Sequence, residues 1–575
     1  MSNGAVGSIG VGTCVRVRTR PPGPSLSANC GQTWRCGLEI ANRGVVNDAG
    51  ESRTGPWARL WTRFSEAMNP PVWLGSAGVV VVFVCLGGFF SEDTRRVFST
   101  LQAGIVEHLG WFYVLVATAI LGFMLWLVIG PYGHVRLGPD DAEPEFGYFG
   151  WLAMLFSAGM GTGLVFWGVA EPLSHFVEPP LAEARSAEAL GQALQVTFFH
   201  WGLHPWAVYT LFALAIGYFH FRHGLPLAPR SMLYPLLGER IRGWIGHLVD
   251  ILCTVGTLFG VATSLGLGAK QINVGIARFA DLPSDDVGLQ IGIIFTITAV
   301  ATTSVVLGID RGVQRLSSMN MLLALAMLGF VFVAGPTTFV LDGFVNALGR
   351  YVQELPYWSL RIDPRPESTW QQDWTLFYWS WWISWSPFVG IFVARISYGR
   401  TLRQIVANVL FVPTVVTFFW LATVGGTGLH LEWVEGANIA ESIRDTPAIG
   451  LHRMLEELPL PNITSVAATL LIVIFFITSS DSGSLVDDMV TSGGHPDPPK
   501  AQRVFWAVSE GTVAGTLLYA GGLQALRTAS LQSGLPMAVL LLLSAVGLKK
   551  ALDLERDTKG IPKRSRLRDR ARDVS

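Results

Sequence analysis

Charged side chains are scarce in this sequence, at 14% of 575 residues, whereas 50% of the residues are hydrophobic. A soluble chain of this length carries about 25% charged residues and divides into several domains. The formal net charge is −1, which gives no electrostatic reason to expect a nucleic-acid partner. The low charge therefore indicates a protein that is surrounded largely by lipid.

Cysteine is also rare, with five residues in the chain. None of them forms a C-x-x-C pair, and no histidine cluster accompanies them, so the sequence indicates neither a zinc site nor a disulfide framework. We recognise no nucleophile–base pair and no ring of pore-lining charges, which leaves a membrane enzyme or a channel as remote alternatives. The polar residues before Val72 contain no apolar core of the signal-peptide type, so no cleaved signal peptide is expected.

Long uncharged apolar blocks are abundant instead, and a block of 18 or more residues indicates a membrane span. Lipid cannot satisfy the backbone groups of an open sheet edge, so each span is expected to be a helix. The predicted fold class is an all-α polytopic membrane protein with twelve transmembrane helices. The predicted spans are residues 72–90, 109–130, 149–170, 193–218, 245–269, 289–308, 319–341, 374–394, 404–425, 463–480, 502–520 and 532–548.

Lysine and arginine gather in the short loops on one side of the predicted bundle and in both tails. The positive-inside rule then places both termini in the cytoplasm and the protein in the cell membrane. Residues 1–66 are expected to form a disordered cytoplasmic tail, residues 67–550 the membrane domain, and residues 551–575 a basic cytoplasmic tail. The basic tail is an orientation signal or a contact for anionic lipid. Residues 342–355 are predicted to form an amphipathic surface helix.

The third span contains an unusual run of glycines. Gly159, Gly161 and Gly163 alternate with Met160 and Thr162, and each glycine costs about 1 kcal/mol relative to alanine in a helix interior. Glycines two residues apart lie on different helix faces, unlike packing motifs, in which small residues recur every four positions. Unwound backbone at membrane depth is tolerated where it lines a cavity. We therefore expect a break in this helix that contributes to a binding site.

Two further features are predicted to interrupt or end helices. Glu171 and Pro172 are expected to close the third span, and Pro387 is expected to break or kink the eighth. Interrupted helices at matching places in two halves of a chain are typical of secondary transporters. The third and eighth spans are five apart, so each is expected to open one half of a ten-helix core.

Aromatic residues crowd the fourth and eighth spans. An uncharged aromatic face in the protein interior can receive a cation through the ring quadrupole, and quaternary ammonium is the ligand that such cages favour. An aromatic belt at the membrane surface is the alternative interpretation. The residues are Trp201, Trp206 and Tyr209 in the fourth span, and Trp374, Tyr378, Trp382 and Trp385 on one helix face of the eighth.

Hydroxyl side chains end the tenth span, in the segment FFITSSDSGS. Thr478, Ser479 and Ser480 offer oxygen ligands that suit a small alkali cation. The same hydroxyls can equally bond back to carbonyls of their own helix. The local residues do not separate a cation site from back-bonded hydroxyls.

Lys270 directly follows the fifth predicted span, residues 245–269, and we place it in the same helix. A charge at membrane depth is costly and commonly functional. One interpretation is that the fifth helix has reached the outer interface, where a lysine extends toward water. The other is that its ammonium replaces a co-transported cation.

The quoted segments together resemble the betaine/choline/carnitine transporter (BCCT) family. The segments that carry this resemblance are GMGTG and EPL (159–173), WGLHPWAVY (201–209), FYWSWWISWSPFVGIFVARISYGRT (377–401) and FFITSSDSGSLV (475–486). The resemblance implies a LeuT-like inverted five-plus-five repeat in helices 3–12, a homotrimer, and alternating access to a central site.

The resemblance also implies roles for individual residues. The implied substrate-binding residues are Trp201, Trp206, Tyr209, Trp382, Trp385, Gly159, Met160, Gly161 and Gly163, with Trp385 on the path toward the cytoplasm. The implied sodium ligands are Ser157, Met160, Phe475, Thr478 and Ser479. No resident cofactor is expected, because sodium would be a co-transported ion.

The expected function is secondary active transport of an onium compound such as glycine betaine, by sodium-coupled symport across a lipid bilayer. Its expected physiological role is osmoprotection. Two positions depart from the sodium-coupled pattern, namely Thr162 in the glycine segment and Val261 where a second threonine ligand is expected. They and Lys270 favour the alternative, a sodium-independent transporter of choline or carnitine that couples to protons or exchanges substrates.

Overall fold

The computed structural model describes residues 68–558 except 160, 308–309, 366 and 496–497, all within one structural unit. For residues 156–159, 304–307 and 310–315 it describes the backbone alone. The predicted tail 1–66 and residues 559–575 of the second predicted tail lie outside the described residues. The regular secondary structure of the described residues is helical, apart from an isolated β-bridge between Arg136 and Thr401.

In the part of the chain that the structure describes, six α-helices precede a stretch of short helical turns. They are α1 (Pro70–Phe89), α2 (Ser91–Ile129), α3 (Tyr148–Gly159), α4 (Thr162–Val177), α5 (Ala187–Trp201) and α6 (Leu203–Gly217). The turns that follow are a π-helix (Tyr218–Arg222), a 3-10 helix (Pro229–Leu233), the short α7 (Tyr234–Leu237) and a further 3-10 helix (Gly238–Arg242).

Ten more α-helices complete the fold. They are α8 (Trp244–Ala277), α9 (Val287–Leu307), α10 (Asp310–Ala334), α11 (Thr337–Leu360), α12 (Phe377–Ile396), α13 (Leu402–Trp433), α14 (Ile439–Asp445), α15 (Gly450–Glu456), α16 (Pro461–Thr491) and α17 (Lys500–Thr558). A π-helical turn, Gln372–Leu376, precedes α12, and a 3-10 turn, Pro447–Ile449, precedes α15.

Seven helices in the described part of the chain are long and apolar enough to cross a membrane. They are α1, α2, α8, the Leu316–Ala334 part of α10, α13, α16 and α17. The eleventh and twelfth predicted spans both lie in α17, whose backbone is non-helical at Gly521 and Gly522. The structure is thus an all-helical protein with many apolar helices, as expected of a polytopic membrane protein, while the twelve spans and the inverted repeat remain predictions.

The break predicted in the third span is confirmed, because α3 ends at Gly159 and α4 begins at Thr162. The prediction that Glu171 and Pro172 close this span is wrong. Helix α4 continues to Val177 with both residues buried inside it. A Cβ on Gly425 of α13 would lie only 2.7 Å from Cγ of Pro172, so this glycine leaves room for the proline ring.

The break predicted at Pro387 is also wrong, because α12 continues through this residue. A proline leaves the carbonyl four residues earlier without its helical donor. In α12 that acceptor is the carbonyl of Ile383, and the hydroxyl of Ser386 donates to it at 2.7 Å. A neighbouring side chain thus satisfies the acceptor that the proline leaves open, and the helix continues.

A break that the sequence analysis did not predict divides the fourth span at Gly202, between α5 and α6. The backbone N–H of Leu203 donates to the Tyr351 hydroxyl at 3.0 Å, which satisfies a donor left free by the break. A Cβ on Gly202 would lie 2.6 Å from the carbonyl of Phe198 and 2.7 Å from the Tyr351 hydroxyl. Glycine is therefore required here by close contacts.

Helix α11 contains the segment predicted to be an amphipathic surface helix. Its buried residues include Val340, Ala347, Tyr351 and Trp358, which recur at spacings of seven, four and seven and therefore share one face. This face packs against α5 and α13.

The centre of the molecule lies around α12. This helix packs extensively against α6 and also contacts α8 and α17, whereas α4 packs against α5 and α13. The tryptophan-rich segment is consequently buried among protein, and Trp379, Trp381 and Tyr378 are among the most completely buried side chains. A membrane-surface belt does not describe these residues.

Candidate functional site

Aromatic residues from three helices meet at one small cavity beside the break between α3 and α4. Seven predicted residues line this cavity, namely Trp201, Trp206, Tyr209, Trp382, Trp385, Gly161 and Gly163. Leu164, Pro205, Trp381 and Thr417 complete its lining. We call this space the aromatic cavity.

The rings around the aromatic cavity are arranged mainly edge to face. Trp201 and Trp382 have ring centroids 4.9 Å apart at 68°, and Tyr209 lies 6.5 Å from Trp382 at 80°. Trp206 meets Tyr209 at 5.6 Å and 82°. In such pairs the edge of one ring meets the face of the other, and together the rings enclose the cavity with uncharged aromatic surface. The lining therefore suits a cation that cannot form hydrogen bonds.

Trp381 is a lining residue that the sequence analysis missed. Its ring stacks on that of Trp382 with centroids 4.8 Å apart at 15°, and it also lies 5.4 Å from the ring of Phe377. Consecutive residues of a helix point about 100° apart, so a single helix face does not predict the pair. The indole rings are large enough for both residues to reach the cavity although they leave the helix in different directions.

Gly163 permits the close approach of the tryptophan rings to α4. A Cβ at this position would lie 2.5 Å from Trp381 and 3.3 Å from Trp201. The glycine run thus has a steric role in addition to the break that it makes. At Gly161 a Cβ would contact only Trp385, at 3.9 Å.

The aromatic cavity has a volume of about 40 Å³. An engineered apolar cavity that admits benzene measures about 150 Å³, so this space is too small for a trimethylammonium compound. The rings must therefore move apart to admit a ligand of that size.

A wider cavity of about 190 Å³ adjoins the first, and Trp385 lines both. The predicted ligands Phe475, Thr478 and Ser479 line this second cavity. The hydroxyl of Thr478 donates to the carbonyls of Ile474, at 3.0 Å, and Phe475, at 3.2 Å. Thr478 therefore forms the back-bonded arrangement that was one of the two interpretations of this segment.

The remaining predicted ligands lie in the segment before α4. Met160 lies outside the described residues, and only the backbone of Ser157 and Gly159 is described, at the end of α3. The parts of Ser157 and Met160 in the sodium site, and of Gly159 and Met160 in the substrate site, remain predictions.

Behind the aromatic cavity lies Glu171, a fully buried carboxylate that the sequence analysis treated only as a helix end. It accepts hydrogen bonds from Trp201 Nε1 at 2.7 Å and from the Tyr378 hydroxyl at 2.5 Å. His200 Nδ1 lies 2.7 Å and His175 Nε2 3.3 Å from its other oxygen. An ionisable residue inside an apolar block was the available signal, since such residues are costly in membranes.

Two imidazoles and a carboxylate are also a donor set that zinc accepts. Two ligands of one tetrahedral zinc ion lie about 3.3 Å apart, given metal–ligand bonds of about 2.0 Å. His200 Nδ1 and Glu171 Oε1 are 2.7 Å apart, which is a hydrogen-bond distance. The cluster is therefore a hydrogen-bond network in this structure.

Trp374 and Tyr378 share the predicted face of α12 and its preceding turn but do not line the aromatic cavity. Tyr378 points to Glu171, and Trp374 packs on Arg527, whose guanidinium carbon lies 5.5 Å from its ring centre. The rings of Trp167 and Phe377 lie 5.2 and 5.3 Å from the same guanidinium. This internal cation was not placed in a span by the sequence analysis, which left residues 521–531 between spans.

Lys270 lies in the last third of α8 and forms an ion pair with a residue of the loop that follows this helix. Its ammonium is 2.5 Å from Asp285, which also accepts a hydrogen bond from Gln290 at 2.6 Å. Asp285 is 41% exposed, so the pair reaches the surface. This geometry agrees with a lysine at an interface.

Comparison with known proteins identifies the family. The model of the betaine/carnitine/choline family transporters matches residues 71–557. A glycine betaine/proline/choline transporter of Vibrio parahaemolyticus is 43% identical over 496 residues, covering 83% of this chain and 89% of that protein. The glycine betaine transporter OpuD of Bacillus subtilis is 42% identical over 475 residues, covering 82% and 92%. This chain therefore belongs to the betaine/carnitine/choline family of membrane transporters.

Proposed function

We propose that this protein imports an onium compound such as glycine betaine by sodium-coupled symport with alternating access. The aromatic cavity carries this proposal, because Trp201, Trp206, Tyr209 and Trp382 line one space without a charged side chain among its lining residues. The names of the Vibrio parahaemolyticus and Bacillus subtilis relatives support glycine betaine as the first substrate to test.

The chemistry of the substrate class explains the lining. A trimethylammonium group carries a positive charge but has no N–H to donate. A hydrogen-bond acceptor or a carboxylate therefore cannot recognise it through a hydrogen bond. Aromatic faces attract the charge through the ring quadrupole, at about 0.5 to 2 kcal/mol per ring as desolvation increases. They also accept the apolar methyl groups, which supports a cage of several rings.

Alternating access supplies the movement that the small cavity requires. Trp385 lies between the aromatic cavity and the wider cavity lined by α10, α12 and α16. We propose that this ring separates the substrate from the path toward the cytoplasm. A ligand shifts the two access states only through its different affinity for each.

Sodium coupling is supported by the hydroxyls at the wider cavity. Thr478 and Ser479 line it beside the ring of Trp385, so an ion bound there would be close to the moving part of the substrate site. Such an ion would stabilise the arrangement of α16 that favours substrate binding. The ligands of this ion would be the hydroxyls of Thr478 and Ser479, the carbonyl oxygen of Phe475, and backbone oxygen near Ser157 and Met160.

One observation favours a second candidate, a sodium-independent transporter of choline or carnitine. Val261 is fully buried and offers no hydroxyl at the place where a further threonine ligand is expected. Lys270 gives this candidate no support, because its ammonium is bonded to Asp285. Choline or carnitine transport would then be coupled to protons or to exchange.

Uptake into proteoliposomes separates the two candidates. Radiolabelled glycine betaine, choline and carnitine are offered with an inward sodium gradient, with a proton gradient, and with potassium only. We expect sodium-driven accumulation of glycine betaine. Uptake that ignores sodium but follows a proton gradient or internal substrate would support the second candidate. Recovery of a chemically changed label would instead point to an enzyme.

The proposal includes an assembly and an orientation. We propose a homotrimer in the cell membrane with both termini in the cytoplasm and with osmoprotection as its role. Native mass spectrometry of the purified protein tests the trimer. Labelling of a single cysteine introduced near residue 575 in intact and opened cells tests the orientation.

A further inference from the structure

Glu171 connects the helices that build the aromatic cavity. It lies on α4, and its four hydrogen-bond partners come from α4 itself (His175), α5 (His200 and Trp201) and α12 (Tyr378). Its side chain is fully buried. A single carboxylate thus links three helices that must separate or tilt when the cavity opens.

The hydrogen bonds around Glu171 indicate whether its carboxyl group is ionised. A carboxylate offers about four acceptor positions. Two certain donors reach Oε2, whereas the His175 and His200 nitrogens beside Oε1 donate or accept according to their tautomers. Trp201 donates to Oε2 through an indole N–H, which can only donate, and Tyr378 reaches the same oxygen. Oε2 thus accepts two hydrogen bonds, and hydrogen bonds to a carboxylate favour its charged form. The observed arrangement therefore fits the anion.

Trp201 and Tyr378 connect Glu171 to the aromatic cavity in two different ways. Trp201 lines the cavity itself and lies edge to face with Trp382. Tyr378 lies one turn before Trp382 on α12, and the two rings stack with centroids 5.6 Å apart at 21°. Losing the carboxylate would leave both the indole N–H and the Tyr378 hydroxyl without this acceptor.

We propose that Glu171 is the positioning residue of the aromatic cavity. Its carboxylate orients Trp201 directly and Trp382 through Tyr378. The indole N–H of Trp201 points at a negative charge, which polarises the ring and makes its face a better partner for a cation. This inference rests on the proposed function, since it concerns the affinity of the same onium site.

The principal test compares Glu171→Gln, which keeps the size of the side chain, with Tyr378→Phe, which keeps the ring. Glycine betaine binding is measured by tryptophan fluorescence, and uptake gives KM and maximal rate. We expect Glu171→Gln to raise Kd and KM about tenfold, as for the loss of a charged hydrogen-bond acceptor, with a smaller change in maximal rate. Tyr378→Phe should raise Kd about threefold alone and change it little in the Glu171→Gln background.

A buried carboxylate away from the cavity provides the control. Glu432 accepts hydrogen bonds from Arg185 at 2.7 Å and from the Ala440 N–H at 3.0 Å. Glu432→Gln is expected to lower thermal stability and to leave the glycine betaine Kd unchanged. An unchanged Kd in Glu171→Gln, or effects of the two substitutions that simply add, would overturn the positioning role.

A ligand-free measurement separates this inference from the proposed function. The indole N–H of Trp201 is observed by nitrogen-15 NMR of tryptophan-labelled protein, with Trp201→Phe for assignment. We expect the signal to move upfield, as its hydrogen bond weakens, in Glu171→Gln and not in Glu432→Gln. If wild-type protein binds neither glycine betaine nor choline, the proposed function fails, whereas an unmoved indole signal overturns the role of Glu171 by itself.

Discussion

Trp201 at the end of α5 and Trp382 in the middle of α12 lie edge to face, with ring centroids 4.9 Å apart. The Trp382 indole N–H donates to the carbonyl of His200 at 3.0 Å, so the residue next to Trp201 fixes the orientation of the opposite ring. The break at Gly202 places that end of α5 beside α12. A helix end and a ring thus define one wall of the aromatic cavity together.

Replacing Trp382 should remove the central ring of the cavity. We expect Trp382→Ala to raise the glycine betaine Kd at least about thirtyfold, since a desolvated ring contributes about 2 kcal/mol to cation binding. Fluorescence titration of purified protein measures the effect. Trp244→Ala is the control, because Trp244 is 73% exposed and should leave Kd unaltered. Tight binding by Trp382→Ala would exclude this cavity as the onium site.

Gly163→Ala tests the close packing of α4 against the rings. Its Cβ would lie 2.5 Å from Trp381, so the ring must shift, at a cost of about 1 to 3 kcal/mol. We expect Kd to rise about tenfold, with the protein still folded. Gly122→Ala is the matched change, because its Cβ would have no atom within 4 Å, and it should be neutral or stabilising. Equal behaviour of the two variants would show that the rings tolerate the added methyl group.

The aromatic residues that line the cavity can be picked out in the sequence by their type and spacing. Trp382 and Trp385 share a helix face, and Trp201, Trp206 and Tyr209 crowd one short segment. The cavity brings all five together. Distance along a helix is sufficient to predict such a face, since side-chain direction follows from helical geometry.

Other features depend on partners from distant parts of the chain and were not predictable. Pro387 leaves α12 intact only because the Ser386 hydroxyl reaches the carbonyl of Ile383. The break at Gly202 relies on Tyr351 of α11 to bond the N–H of Leu203. Local rules predict where a helix is weakened, whereas tertiary hydrogen bonds decide where it stops.

The loop between α11 and α12 gives a pH prediction. Arg365 donates to Asp363 at 2.9 and 2.7 Å and also to the carbonyl of Pro180 at 3.1 Å. The Arg365 hydrogen bonds hold the pKa of the Asp363 carboxyl well below its usual value. A depressed pKa means that the stabilisation is present above the unfolded-state value of about 4 and is lost as pH falls toward the folded-state value.

Asp363→Asn should therefore lower the thermal unfolding midpoint at pH 7 by about 1 to 2 °C, as expected for a partly exposed ion pair. The difference from wild type should shrink as the pH falls below about 4. Differential scanning fluorimetry across that range measures it. A difference that stays constant with pH would show that the charge of Asp363 is not responsible.

The hydroxyls of α16 give a prediction for ion coupling. Thr478→Ala with Ser479→Ala removes two oxygens from the wider cavity, and we expect the sodium concentration for half-maximal uptake to rise about tenfold, roughly 1.4 kcal/mol. Thr296→Ala is the control, because Thr296 is also bonded back to its helix, at 2.7 Å from the Gly292 carbonyl, but lies at an exposed position. An unaltered sodium dependence in the double variant would remove these hydroxyls from the ion site.

Substitutions at Lys270 test whether its ion pair is structural or whether its ammonium replaces a transported sodium ion. Its ammonium is bonded to Asp285, and the lysine is 6% exposed. Lys270→Met leaves Asp285 without this partner and should lower stability, whereas adding Asp285→Asn should restore most of it, because the pair is then removed as a unit. Sodium dependence of uptake should be the same in both variants and in wild type.

A role of Lys270 in cation transport would give a different result. If the ammonium replaced a transported cation, Lys270→Met would make uptake more dependent on sodium, and Asp285→Asn would not reverse that change. Lys549→Met serves as the control, since Lys549 forms a surface pair with Asp553 at 2.6 Å and such pairs contribute about 1 kcal/mol or less. Comparing the three variants at several sodium concentrations therefore decides whether the cation in α8 stabilises that end of the helix or takes part in transport.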